Sequence, residues 1–264
     1  MEKKKDEIIL PTKKRKAIST SPDTMLLYSI PKAGKTTITA NLDNWLTIEL
    51  EPKGANAVDI MVLEALTPPK FEKILLALEK ECPYDGIIID TVTILDNWSE
   101  TVGTYNYMNK PQGSKFNKPG ENPTAKPYNH NHKAWQSVHD IGNGYGYKHS
   151  REQMMSWIKR IIAIAPKVIF LCHVKDKLIQ NTAGDTIEAK DLFVTGKLRT
   201  IIPAYLDAVA HFRRDGNSGI LNFTNDENKL SSGSRYSHLQ GEIEISKSDK
   251  EGNITTFWDK VFIK

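Results

Sequence analysis

The sequence predicts an α/β fold: a mainly parallel central sheet flanked by helices, with antiparallel hairpins toward the C-terminus. Three observations carry this reading. Short apolar runs recur along the chain, as MLLYSI at 25–30, GIIID at 86–90 and KVIFLC at 167–172. The continuous β-branched run GIIID suits a strand covered on both faces. Between them lie segments with helical periodicity, and from about residue 241 the pattern changes to the alternation of hairpin strands. Strands separated by helices and then followed by hairpins define a mixed sheet with an antiparallel edge.

The elements follow in order. WLTIELE at 45–51 alternates and ends on acids. Over 70–81, Phe71, Ile74, Leu75 and Leu78 fall on one helical face. The stretch 103–149 is rich in Gly, Pro, Asn, Tyr and Lys, and reads as a large loop or insertion. A helix is expected to open near Ser150, where Ser150 and Gln153 make a capping-box pattern. Met154, Trp157, Ile158 and Ile161 form its buried stripe. The segment 174–192 is polar. YLDAVAHF at 205–212 and GILNF at 219–223 read as strands joined by a turn at Asp215-Gly216, and the tail turns again around 249–252. The organisation is thus a basic arm over 1–21, a main domain over 22–240 and a C-terminal β extension over 241–264.

With 264 residues and 39% hydrophobic content, the chain holds enough for one sizeable core, or a core with a small appendage. It has no apolar run of membrane-spanning length and no secretory signal pattern. Its two cysteines, Cys82 and Cys172, make neither a disulfide framework nor a zinc ribbon; both read as buried free thiols, which fits a reducing cytoplasm. Residues 1–16 carry seven basic and three acidic groups, a surplus equal to the +4 of the whole chain. A basic arm on a neutral body suits a polyanion partner or a solvated tail.

The segment MLLYSIPKAGKTTITANL reads as strand, tight loop and helix start. Backbone N–H groups of such a loop and of a helix N-terminus point at phosphate oxygens. Ser29, Pro31, Lys32, Ala33, Gly34, Lys35, Thr36 and Thr37 are therefore candidate nucleotide-binding residues. Gly34 allows close backbone approach, Lys35 reaches the β- and γ-phosphates, and the Thr36 hydroxyl is placed to ligate Mg²⁺. The usual pattern, G-x-x-x-x-G-K-[ST], begins with glycine; Ser29 stands there instead, with a more restricted backbone. Asp90, ending the apolar strand GIIID, is the matching carboxylate for Mg²⁺. Thr91 is either a neighbour of the phosphates or a simple strand end.

Hydrolysis needs a group that orients or deprotonates water. Glu49 and Glu51 are candidates, and strand alternation places them on one face. Glu51 lies nearer the C-terminal edge, where open α/β sheets bind ligands, and is preferred. His173 ends KVIFLC at the same edge, where a polar residue can sense a terminal phosphate.

This order of motifs resembles the RecA-like core of P-loop NTPases and, more narrowly, the phage-encoded nucleotide-binding ATPases of the Sak recombinase type. SIPKAGKTT, TIELEPKG, GIIIDTVTIL, the GYGY ahead of the 150–164 helix, VIFLCH and GSRYSHL at 233–239 carry the resemblance, which covers about 22–240. It implies ATP hydrolysis with Mg²⁺, a glutamate at 51 acting on water and a nucleotide sensor at 173, where RecA has Gln. It also implies a homo-oligomer, ring or filament, in the host cytoplasm. Single-stranded DNA and phage single-strand-binding or replication proteins are the implied partners, in recombination, annealing or replication. A helicase-type motor and a nucleotide-gated DNA-binding module with negligible turnover are the alternatives. Arg235 in GSRYSHL is a candidate finger for its own or a neighbour's nucleotide.

In such recombinases the DNA loops follow the strand that ends on the metal-binding carboxylate, here Asp90, and the sensor strand; the corresponding segments are 97–149 and 174–192. The first contains Lys110, Lys115, Lys118, Lys126, Lys133 and Lys148, with Trp135 and several tyrosines. Lysines neutralise phosphates while aromatics stack on bases. Lys175 and Lys177 follow the sensor directly. His130 and His132 form an H-x-H pair, with His139 and Asp140 as possible further metal ligands; solvated loop histidines are the plainer reading.

Overall fold

The computed structural model describes residues 10–111, 137–180, 184, 186–224 and 231–263. Strand β1 (Thr24–Ser29) leads through the loop 30–34 into α1 (Lys35–Thr39). Strands β2 (Trp45–Glu49) and β3 (Val62–Glu64) precede α2 (Pro68–Lys80), β4 (Gly86–Asp90) and α3 (Val92–Met108). Helix α4 (Tyr147–Ile164) feeds β5 (Lys167–Gln180), which turns back as β6 (Thr186–Leu192). Helix α5 (Leu198–Tyr205), β7 (Ala208–Asp215), β8 (Ser218–Asn222), β9 (Gly233–Ser234), β10 (Glu242–Ser248) and β11 (Ile254–Thr256) complete the order.

The sheet runs β11-β10-β8-β7-β1-β5-β4-β2-β3, with β6 on β5 and β9 on β7. Pairs among β7, β1, β5, β4, β2 and β3 are parallel; those of β8, β10 and β11 are antiparallel. The fold class is therefore the one the sequence predicts.

Period-2 alternation sorts the strand side chains into two cores. Leu26, Tyr28, Leu46, Ile48, Ile87, Ile89, Val168 and Phe170 face α2, α3, α4 and α5. Met25, Leu27, Ile88, Ile169 and Leu171 face the opposite side, where Ile38 of α1 meets Ile245, Trp258 and Val261 from the tail. The tail reaches that layer because β10 pairs with β8 and extends the same sheet. Trp258 donates from Nε1 to the Ile38 carbonyl at 2.8 Å, a buried bond that satisfies an end of the five-residue α1.

Helix α2 forms as its pattern predicts, with Phe71, Leu75 and Leu78 buried and Thr67 capping its first turn. The α4 stripe holds too: Met154, Trp157, Ile158 and Ile161 are fully buried. Trp157 meets Phe71 edge-on at 5.7 Å and donates from Nε1 to Glu72. Trp157→Ala removes the largest side chain of this core and is expected to cost about 3–5 kcal/mol, read by urea denaturation.

Four expectations change. Helix α4 opens at Tyr147 rather than near Ser150, and Ser150 donates to the Tyr147 carbonyl from inside the helix instead of capping it. The expected insertion begins as helix: α3 runs on to Met108, and residues 112–136 lie outside the described chain. The polar stretch after His173 is a hairpin, β5 continuing to Gln180 and pairing with β6. Residues 198–205 are helical, and the following strand starts at Ala208 rather than Tyr205. Cys172 is buried as expected, whereas Cys82 is only partly so. Among the described residues no helix is long and apolar enough to cross a membrane.

Candidate nucleotide site

The loop from Ser29 to Lys35 lies at the C-terminal edge of the parallel strands. Ser29 belongs to β1 and is fully buried. Its hydroxyl donates to the Ile30 carbonyl at 3.0 Å and accepts from Lys35 Nζ at 2.9 Å. The serine in the usual glycine position thus closes the strand and holds the lysine. Left-handed backbone is needed later in the loop, at Lys32 (φ 63°) and at Gly34 (φ 105°). Lys35 Nζ also donates to the Ser29 and Ile30 carbonyls, both at 3.3 Å. Burial is the largest influence on this amine and lowers its pKa; Asp90 is the main opposing charge. Helix α1 has only five residues, so the loop amides and Lys35, rather than a long helix dipole, set the local field. Pro31 and Lys32 are exposed, while Ala33, Thr36 and Thr37 are partly so.

Asp90 ends β4 with 7% exposure, and Thr36 Oγ1 donates to its Oδ2 at 2.6 Å. Burial raises the Asp90 pKa, with the Thr36 bond opposing it. A buried carboxylate beside a hydroxyl is a hard-oxygen pair, which fits Mg²⁺ held by one protein carboxylate plus substrate phosphates. Among the described residues no three His, Cys, Asp or Glu side chains gather as a metal cage. His139 is engaged otherwise, by Ser150 at 2.8 Å and Glu100 at 3.3 Å. His130 and His132 lie outside the described residues.

Glu51 and His173 come together although 122 residues separate them: His173 Nε2 lies 2.8 Å from Glu51 Oε1. An ionised carboxylate only accepts, so Nε2 carries the proton. Thr91 Oγ1 donates to the same oxygen at 2.8 Å. The His173 bond holds the Glu51 carboxyl below its ordinary range, burial opposes it and the Thr91 bond adds to it. His173 Nδ1 is buried and has no hydrogen-bond partner among the described residues. Glu49 behaves differently from the expectation of a shared face. Strand β2 stops at Glu49, so alternation does not extend to residue 51. Glu49 is buried and accepts from the Ala55 amide at 2.7 Å, which fixes the 51–58 turn instead of facing His173. Cys172, next to His173, has its thiol pushed up to about 11 by burial and is unreactive.

Arg235 is not at this chain's own phosphate loop. It follows β9, which pairs with the start of β7, level with Met25 at the opposite end of β1. There it bonds Asp207 at 3.3 Å and the Ala204 carbonyl at 3.0 Å, lining an open cavity of about 730 Å³ beside α5. Lys175 and Lys177 are exposed on β5 directly after His173, Lys175 over the Phe193 ring. Lys110 is exposed just past the end of α3, a helix length of about 25 Å from Thr91 at its start. Lys115, Lys118, Lys126, Lys133 and Trp135 lie outside the described residues. Tyr107 and Tyr147 pack on His149 and His139, so these two rings are engaged locally.

One residue at the loop escapes sequence reasoning. Arg214, near the end of β7, donates from Nε to the Ala33 carbonyl at 3.0 Å. The only signal is a pair of arginines closing a strand; that this strand lies beside β1 is a matter of topology.

A parallel sheet, a lysine-bearing phosphate loop, a hydroxyl paired with a strand-end carboxylate and a glutamate–polar pair opposite define a P-loop ATPase. The chain belongs to the AAA domain family, whose model matches residues 21–236. A search of curated proteins returns no match.

Proposed function

We propose that the chain hydrolyses ATP with Mg²⁺ and uses the cycle to control its hold on single-stranded DNA, as a homo-oligomer of the phage Sak recombinase type. The observation that carries the coupling is the continuity of β5. His173, bonded to Glu51, lies two residues before Lys175 and four before Lys177 on one strand. A change at the sensor is thereby transmitted to an exposed basic hairpin through rigid backbone.

Thr36 and Asp90 would hold the metal, which neutralises charge on the β- and γ-phosphates when bound. Lys35 binds phosphate oxygens, and the loop amides orient them. Glu51 accepts the proton of the attacking water once His173 gives up part of its hold. Arg235, remote from its own loop, is left for a neighbouring subunit's nucleotide.

The test is phosphate release by the wild type with and without single-stranded DNA, beside the Lys175→Ala/Lys177→Ala double variant. DNA is expected to stimulate the wild type and not the double variant. The salt slope of DNA binding should fall by about one for each lysine that contacts a phosphate. Turnover indifferent to DNA would remove the DNA part of the proposal and leave the ATPase.

A further inference from the structure

We infer that Arg214 is a positioning residue for nucleotide affinity, acting through the Ala33–Gly34 peptide of its own phosphate loop. The inference rests on the nucleotide reading above. Two sets of distances place the guanidinium on that peptide. Nε donates to the Ala33 carbonyl at 3.0 Å. A Cβ built at Gly34 would lie 3.0 Å from Nη2, 3.5 Å from Nε and 3.7 Å from Cζ. Gly34 is favoured by its positive φ, and a side chain there would also press on the guanidinium.

The contrast with the preceding residue sharpens the assignment. Arg213 is spent on its own sheet, bonding Asp215 at 3.0 Å and Glu242 at 2.9 Å. Among the described residues Arg214 meets no carboxylate, and its Nη groups meet no acceptor. Its Nε hydrogen bond goes to the loop, whereas Arg213 makes ion pairs on the sheet.

The consequence follows from peptide geometry. The Ala33–Gly34 bond is trans, so its carbonyl and its N–H point in opposite directions. With the carbonyl held by Arg214, the Gly34 N–H is turned to the other side of the loop. A charged donor on the carbonyl also polarises the same peptide and strengthens that N–H as a donor. Fixing one loop amide before the ligand arrives spares its ordering on binding. This serves any nucleotide that places a phosphate on the loop, whether or not a γ-phosphate is present. It is binding shared by ground state and transition state, which sets KM and leaves kcat alone.

The experiment compares wild type, Lys35→Ala, Arg213→Gln, Arg214→Gln and Arg214→Lys by ADP titration and by steady-state ATP hydrolysis. In Arg214→Gln the ADP dissociation constant and the KM for ATP should rise together, by about five- to twentyfold, with kcat within about twofold. Arg214→Lys should recover part of the loss, and Arg213→Gln should match the wild type. Loss of kcat at unchanged ADP affinity would overturn the inference, since it would make Arg214 a transition-state group. Weakened ATP with unchanged ADP would overturn it equally, by pointing to a direct γ-phosphate contact. A wild type that binds neither nucleotide would instead defeat the nucleotide reading itself.

Discussion

Lys35→Ala is expected to lose ATP binding and hydrolysis together, with kcat/KM falling by at least about 10²–10³-fold. The amine is 5% exposed and held by three oxygens of the loop it serves. Its stability effect should run the other way. The fold lowers the Lys35 pKa, so the folded state holds the proton less readily than the unfolded chain. The charged amine therefore costs the fold stability below its folded pKa, and that cost fades as pH rises from there toward the ordinary value of 10.5. Phosphate release and a thermal melt, measured side by side, should show an inactive variant whose melting midpoint is unchanged or raised. Hydrolysis close to the wild-type rate would end the P-loop assignment of this lysine.

Glu51→Gln is expected to separate binding from chemistry. Glutamine keeps the shape and can still meet Thr91, but it takes no proton from water; kcat should fall by about 10²–10⁴-fold while ATP affinity changes little. The pH profile adds a second sign. Because the His173 bond holds Glu51 below the usual carboxylate range, the acid limb of kcat in the wild type should fall below that range. His173→Ala removes the largest lowering influence and leaves burial opposed only by weaker ones, so the limb should move to higher pH. Rates against pH for the three proteins check both statements. A glutamine variant that turns over normally would move the base elsewhere.

Much of the site was legible because its residues sit where strands end. GIIID forms strand β4 over the same residues, and Asp90 takes the place its spacing predicts. Glu51 and His173 were each placed at the sheet edge from sequence; their contact could not be, since it depends on β2 and β5 flanking β4. Helix α3 was partly hidden for a different reason. Its buried face includes Thr93, Asp96, Ser99, Gly103 and Thr104, so hydrophobic periodicity is weak where packing is close. A Cβ at Gly103 would lie 3.1 Å from the His149 backbone, which shows how closely α3 and α4 approach. The β5–β6 hairpin exposes Lys175, Lys177 and Leu178 and keeps little alternation to read. Arg214 was invisible because a side chain that crosses between neighbouring strands leaves no spacing rule in one sequence.

The bond between Trp258 and Ile38 joins residues 220 positions apart. During synthesis the phosphate loop emerges early and the indole that ties down its helix arrives far later. At about 5–20 residues per second, the interval is roughly 10–45 s. Through that time the nascent chain carries its ATP loop without the last support behind it. Completion of the nucleotide site is thereby tied to the arrival of a segment that lies beyond the family-matched region.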